Sequence, residues 1–343
     1  MIVHPLTSRE VKLARRPDET PRPEHFEIVT SPMPRPSAQE ILVRNRWFRI
    51  SISARLMMSA GAEDIKGIPF PPIKPGDTLA DGAIGEVVSA PSESGLQPGD
   101  FVSHHCGWRE YAAVPLNQCV LLPSGPVNPV AYLGHGWTAY AALTRGVQVR
   151  QGDTVFVSSG AGAIGSMAGQ IARRLGAARV IGSTTSHTKA EWMKTALGYD
   201  AVIVIGSTPI AELLADAAPE GIDVYVDIVG GEHLQAAVEV ARQGARFVLL
   251  GALTAELAAK GATKVAPVEL DSFQLIIKGM TLRGYSADND PDAFNEWLQH
   301  LDEWQQDNGI HLTSSKFTGI ESAPQALHEA CLGRLKGLVY VEL

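Results

Sequence analysis

The sequence predicts an α/β protein with two parts, a β-rich domain and a domain built on a doubly wound parallel sheet. Three observations carry this. The chain has 343 residues, enough for two domains at roughly 100–200 residues each. Its first ~125 residues are cut by proline and glycine into short runs. From about residue 132 onward, apolar strand-like runs alternate with helical ones, the pattern of βαβ units around a parallel sheet.

The breaks in the first part are Pro21-Arg22-Pro23, Pro32-Met33-Pro34, Pro71-Pro72, Lys74-Pro75-Gly76-Asp77 and Gln97-Pro98-Gly99-Asp100. Between them lie strand-like runs at 40–43, 83–89, 100–103, 111–114 and 119–122. Short strands with turn residues between them predict a compact antiparallel barrel or sandwich. The second part opens with a helical stretch at 138–143 and a turn at 150–153. Strands are expected at 154–158, 179–183, 201–205, 223–228, 246–250 and 281–285. Helices are expected at 164–175, 189–197, 209–217, 233–242 and 272–278, with a polar-faced helix at 292–306. Six strands fit a full dinucleotide fold. The last strand, 337–341, has no βαβ unit left to join and is expected back in the first domain.

Composition narrows the class. Hydrophobic residues are 45% and charged residues 19%, against disorder. A net charge of −8 argues against nucleic acid as main partner. No apolar run approaches the ~18 residues of a membrane span. Residues 1–12 lack the apolar stretch of a secretory signal, so a cytoplasmic location is expected. Three scattered cysteines, Cys106, Cys119 and Cys331, make neither a disulfide framework nor a zinc lobe.

The sharpest motif follows the strand at 154–158. It reads Gly160-Ala161-Gly162-Ala163-Ile164-Gly165 and opens a helix. This G-x-G-x-x-G spacing suits a pyrophosphate. Gly160 allows a tight turn, Gly162 lets amides approach the phosphates at the helix N-terminus, and Gly165 permits close helix packing. A phosphate-loop nucleotidase would need lysine next, and the chain has Ser166. Enzymes that bind NAD usually carry an acid at the end of the second strand, for the ribose 2′-hydroxyl. Here the chain reads Gly182-Ser183-Thr184-Thr185-Ser186-His187-Thr188-Lys189. Hydroxyls and a lysine fit a 2′-phosphate, so NADPH/NADP is the expected cofactor. His104-His105-Cys106 holds metal-capable side chains, but neighbours on one loop rarely converge on one ion, and no metal is expected. Trp297, Leu298, Leu301 and Trp304 have the spacing of a packed helix face.

These residues resemble the medium-chain dehydrogenase/reductase family, in particular its zinc-free branch of leukotriene B4 dehydrogenase/prostaglandin reductase, plant double-bond reductases and curcumin-type reductases. The likeness spans nearly the whole chain. It rests on Leu42-Val43-Arg44-Asn45, Gly82-Ala83-Ile84-Gly85-Glu86-Val87, Gly107-Trp108-Arg109-Glu110-Tyr111, Tyr132-Leu133-Gly134 with Trp137-Thr138-Ala139-Tyr140, residues 185–189, Val229-Gly230-Gly231-Glu232 and Leu250-Gly251-Ala252. The resemblance implies a GroES-like domain at 1–128, to which 300–343 returns, a Rossmann NADP-binding domain at 129–299, a cleft between them, and a homodimer. It implies reduction of the C=C bond of α,β-unsaturated aldehydes or ketones, by hydride transfer from NADPH to the β-carbon. The zinc-using relatives carry a Gly-His-Glu ligand motif in the first domain; the corresponding strand here has no histidine.

By the same resemblance, the cofactor would lie against Thr138, Gly160, Gly162, Ala163, Ile164, Gly165, Ser183, Thr184, Thr185, Lys189, Val229, Gly251, Ala252, Leu253 and Tyr285. The chain departs from the family at four positions. Glu256 stands where a substrate tyrosine falls, and the early tyrosine segment reads Ser51-Ile52-Ser53-Ala54-Arg55. Ile205 replaces a tyrosine beside the adenosine phosphate, and Gly333-Arg334-Leu335-Lys336-Gly337 lacks the nicotinamide-contacting asparagine. The acid that completes the reaction is therefore open among Tyr285, Arg55, Tyr140, Glu256 and water. Reduction of a quinone or ketone fits the same cofactor, and a non-catalytic NADP(H)-binding protein is the reading of another class.

Overall fold

The computed structural model describes residues 5–65, 71–123, 129–259, 261–306 and 309–343. The chain forms two compact units: Met1–Gly134 with Ala259–Lys264 and Ser314–Leu343, and His135–Ala258 with Val265–Thr313. The units divide after Gly134, against the expected division after residue 128, and the chain returns to the first unit at Ser314, against the expected 300.

In the first unit, β1 (Thr7–Leu13) and β2 (Phe26–Pro32) form an antiparallel pair. β3 (Glu40–Arg49) is followed by α1 (Ala54–Met58), β4 (Ala83–Ser89), β5 (Phe101–His104), β6 (Tyr111–Pro115) and β7 (Val120–Leu121). β3 pairs with both β4 and β6, and β5 bridges β4 to β7, all antiparallel. Alternate residues of these strands point inward; Ile41, Val43, Val87, Val102, Ala112 and Val114 make one core cluster. Gly85 is glycine because a Cβ there would lie 2.3 Å from Val43 Cγ1 and 2.7 Å from the Arg44 carbonyl.

The second unit runs α2 (Gly136–Ala141), β8 (Thr154–Val157), α3 (Gly165–Arg174), β9 (Arg179–Thr184), α4 (His187–Leu197), β10 (Ala201–Val204), α5 (Ile210–Ala217), β11 (Ile222–Asp227), α6 (Glu232–Glu239), β12 (Ala241–Leu249), α7 (Leu253–Glu256), α8 (Ser272–Ile277), β13 (Thr281–Gly284) and α9 (Pro291–Gln306). Its six strands are parallel, in the order β10-β9-β8-β11-β12-β13. The order reverses between β8 and β11, so a crevice is expected outside their carboxyl ends. Three aromatic rings on neighbouring strands pack together: Phe156 stacks on Tyr225 at 5.0 Å, and Tyr225 meets Phe247 edge to face at 5.3 Å.

The helix expected at 233–242 ends earlier, at Glu239, and β12 begins at Ala241. The cause is a bulge. Ile222 lies opposite Ala241 but Val224 opposite Arg246, with Gly244 at φ 73°. The Arg242 side chain is held by Glu220 at 2.7 Å and Asp223 at 2.9 Å. The chain then returns to the first unit with β14 (Ser314–Thr318), α10 (Ala323–Cys331) and β15 (Leu338–Glu342). β15 pairs antiparallel with β3, Tyr340 opposite Arg49, and parallel with β14.

Candidate functional site

The glycine loop joins β8 to α3 at the point where the strand order reverses. Its amides reach across to β9: Gly160 N donates to the Ser183 carbonyl at 2.9 Å, and Ser159 N to Ser183 Oγ at 3.2 Å. The left-handed residue of the turn is Ser159, at φ 52°, rather than Gly160 as expected. Gly160 is glycine for a different reason. A Cβ there would lie 2.4 Å from Met193 Cε. Gly165 closes the loop onto its own helix, since a Cβ would sit 2.3 Å from the Ser159 carbonyl oxygen and 2.7 Å from Gly160 Cα. Gly162 differs: its Cβ would meet only Ser159, at 3.1 and 3.3 Å. That approach is tight but looser than at Gly160 or Gly165, and Gly162 sits where amides at a helix N-terminus would face a phosphate.

Tyr199 ties this region together and was not singled out by the sequence. Its hydroxyl donates to the Gly165 carbonyl at 2.7 Å, and burial pushes its pKa upward. Cβ atoms at Gly169 and Gly182 would lie 2.4 and 2.7 Å from its ring. Three glycines spread over 22 positions, at 160, 169 and 182, thus make room for Tyr199 and Met193.

The expected cofactor residues gather along one edge of one sheet. Ser183 and Thr184 end β9 and are buried; Thr185 is exposed. Lys189 lies in the first turn of α4, largely buried, its amide on the capping Ser186 Oγ. Val229 follows β11, and Gly251, Ala252 and Leu253 follow β12. Leu253 N donates to the Ile228 carbonyl at 3.2 Å, and Thr254 N and Oγ1 donate to the Val229 carbonyl at 3.1 and 3.0 Å. Ala163 and Ile164 complete the loop. Thr138 is half-buried on α2, which packs on α3.

The acid candidates are placed differently. The Tyr285 hydroxyl donates to Asp290 at 2.9 Å, and Asp290 is also paired with Arg145. Burial, with that carboxylate, pushes the Tyr285 pKa up to about 12. Tyr140 is packed among Trp297, His300 and Trp304, and its hydroxyl reaches Glu296 at 3.4 Å. Arg55 is buried on α1 in the first unit. Glu256 ends α7, half-buried, and burial raises its carboxyl pKa.

Residues 9–122 match a family model described as the N-terminal domain of oxidoreductase, and residues 163–303 one described as zinc-binding dehydrogenase. The chain is 32% identical over 336 residues to the putative NADP-dependent oxidoreductase YfmJ of Bacillus subtilis, covering 96% of this chain and 95% of the relative. The chain belongs to the zinc-free branch of the medium-chain dehydrogenase/reductases. Over 339 residues it is 28% identical to the NADPH-dependent curcumin reductase of Escherichia coli, with coverage of 96% and 94%. The crystal structure of CurA in complex with NADPH from Vibrio vulnificus superposes with a TM-score of 0.85 at 29% identity, covering 97% of this chain and 98% of that one.

Among the described residues, no three His, Cys, Asp or Glu side chains are grouped to hold a metal ion. His104 is buried and accepts the Cys106 amide on Nδ1 at 3.0 Å, and burial lowers its pKa to about 3. The fit to a dinucleotide is visible in the glycine loop, where side chains at Gly162 and Gly165 would crowd Ser159, and in one buried atom without a hydrogen-bond partner among the described residues, Asp227 Oδ2. Asp227 was missed by sequence reasoning. Its signal was a lone carboxylate inside the apolar run Val224-Tyr225-Val226-Asp227-Ile228-Val229, directly before two glycines.

Proposed function

We propose that this chain, an NADP-dependent oxidoreductase, reduces the carbon–carbon double bond of α,β-unsaturated aldehydes and ketones. Bound NADPH supplies a hydride, which the acceptor takes at its β-carbon. The observation that carries the cofactor half is the carboxylate-free end of β9 beside the glycine loop. Ser183, Thr184, Thr185 and Lys189 suit a 2′-phosphate, and the loop suits the pyrophosphate.

The acceptor half rests on chemistry and on one relative's name, curcumin being a conjugated diketone. Conjugate addition of hydride leaves an enolate, a weaker base than the alkoxide from a simple ketone. Hydrogen-bond donors can hold it. The returning proton comes from Glu256, whose burial keeps a proton on its carboxyl more readily, or from water; the hydroxyls of Tyr285 and Tyr140 are engaged by Asp290 and Glu296. The test is NADPH oxidation against enals, enones, quinones and simple ketones. The highest kcat/KM is expected with enals or enones. Turnover confined to quinones or ketones would overturn the acceptor, and NADPH binding without turnover on the whole panel would favour a non-catalytic protein.

The reading includes a homodimer formed through β13. Among the described residues this strand pairs only with β12, and it is one of the sheet's two edges. Beside it, Phe273 is 65%, Ile276 74% and Ile277 47% exposed. An open edge flanked by an apolar patch is a surface that a second copy can cover by two-fold pairing. A cytoplasmic location suits the three free thiols, Cys106, Cys119 and Cys331; among the described residues no helix is long and apolar enough to cross a membrane.

A further inference from the structure

We infer that Asp227 is a positioning residue, whose Oδ1 sets the turn at 228–231 in the shape that receives the nicotinamide half of the cofactor. This rests on the cofactor reading above. Asp227 ends β11 and is buried. Oδ1 accepts from the Tyr225 hydroxyl at 2.8 Å, Gly230 N at 2.8 Å and Val229 N at 3.1 Å, and lies 3.5 Å from Ser158 Oγ. Ser158 is itself buried at the end of β8, and its Oγ accepts from Ile228 N at 2.8 Å and Val229 N at 3.3 Å. Two polar side chains, one from each strand flanking the reversal point, thus hold three consecutive amides.

The turn needs such holding. Gly230 and Gly231 are both left-handed, at φ 75° and 55°, and glycine brings no side chain to fix the backbone. From the other side, α7 takes the carbonyls of Ile228 and Val229. The turn is therefore clamped between β8, β11 and α7. A dinucleotide spans the reversal point. Lys189 and the end of β9 lie on the β8–β9–β10 side, where the adenosine half belongs, so the nicotinamide half falls on the side of β11, β12 and β13. The turn at 228–231 is the first backbone it meets there.

A carboxyl serving only as a strand terminator would be expected to satisfy both oxygens, because a buried unpaired oxygen is costly. Asp227 concentrates its donors on Oδ1, and Oδ2 has no partner among the described residues. Burial raises the Asp227 pKa while the turn's amides and the Tyr225 hydroxyl pull it down. The group is held at a cost, and what that cost secures is the turn.

The experiment measures dissociation constants of the full-length protein for two ligands. NADPH spans both halves of the site, and adenosine 2′,5′-bisphosphate occupies only the adenosine half. Asp227→Ala is expected to weaken NADPH about tenfold or more, from the loss of charge-assisted bonds to two amides, while the bisphosphate changes less than about twofold. Asp227→Asn keeps an acceptor at Oδ1 and is expected to retain NADPH binding within about threefold. Equal weakening of both ligands, or no change for NADPH, would overturn the inference. If Asp227→Ala does not fold, Ser158→Ala removes the companion acceptor and must give the same split between the ligands; equal losses there overturn the inference too. Wild-type protein that binds neither ligand would defeat the cofactor reading itself, a separate result.

Discussion

Replacing Lys189 by alanine tests how the chain tells NADPH from NADH. Lys189 stands in the first turn of α4, largely buried, after Ser183, Thr184 and Thr185. A charge-assisted hydrogen bond from such a partly desolvated ammonium to a phosphate contributes ~1.5–3 kcal/mol. At ~1.4 kcal/mol per factor of ten, the variant should lose roughly 10- to 150-fold in NADPH affinity. Some preference survives, because the α4 N-terminus still favours an anion by ~0.3–1 kcal/mol. NADH has no 2′-phosphate, so its affinity should move less than about twofold. Loss of the buried lysine stem would affect both cofactors alike, which makes the ratio diagnostic. Quenching of tryptophan fluorescence gives both dissociation constants, and Trp192 on the same helix is a natural reporter. Equal losses for NADPH and NADH would refute the assignment of Lys189 to the phosphate.

Other perturbations separate the roles of the glycines, the acid and the sheet edge. Gly165→Ala places a Cβ 2.3 Å from a backbone oxygen and should cost ~1–3 kcal/mol, read as a lower melting temperature. Gly162→Val crowds Ser159, whose Oγ and carbonyl oxygen lie 3.1 and 3.3 Å from the added Cβ, so it should lower the melting temperature less than Gly165→Ala yet block NADPH; a folded variant with unchanged affinity would contradict the loop's role. Glu256 has a pKa raised by burial, so its protonated form is favoured in the folded chain. Its contribution is fully present below the ordinary value of 4.5 and is lost as pH rises through the raised value. Glu256→Gln should therefore raise the melting temperature at pH 7–8, with the gain shrinking toward acid pH; a gain independent of pH would contradict the burial. Ile276→Asp, on the exposed face of α8, should shift the protein toward monomer in light scattering while NADPH binding is kept, and an unchanged mass would discard the β13 interface. Chelators should leave turnover intact; a stoichiometric zinc recovered with active protein would contradict the metal-free reading.

The parallel sheet was legible because its strands are apolar runs separated by turn residues. Those of 154–157 and 281–284 begin where expected and end one residue sooner. What hid from the sequence was non-local. β1 and β2 are strands of mixed polar and apolar residues, and they pair across a 12-residue connection, 14–25, too long for a tight hairpin turn to mark the pairing. The run at 233–242 has helical spacing, but the bulge after Ile222 draws Ala241 and Arg242 into the sheet. Gly160 was read as a turn residue, whereas Ser159 makes the left-handed turn and Gly160 makes room for Met193 from another helix. Asp227 and Ser158 are 69 positions apart, and no local pattern says that one carboxylate and one hydroxyl will share three amides. Tyr285 was one of the acid candidates, yet Asp290, five residues on, accepts the hydrogen bond of its hydroxyl.

The central claim is that hydride goes to the β-carbon of the conjugated system and not to the carbonyl carbon. NADPH carrying deuterium at the transferred C4 position, turned over with an enone, places that isotope where the hydride lands. The account predicts a saturated ketone with deuterium on the β-carbon and the carbonyl intact. An allylic alcohol with deuterium on the carbinol carbon would contradict it.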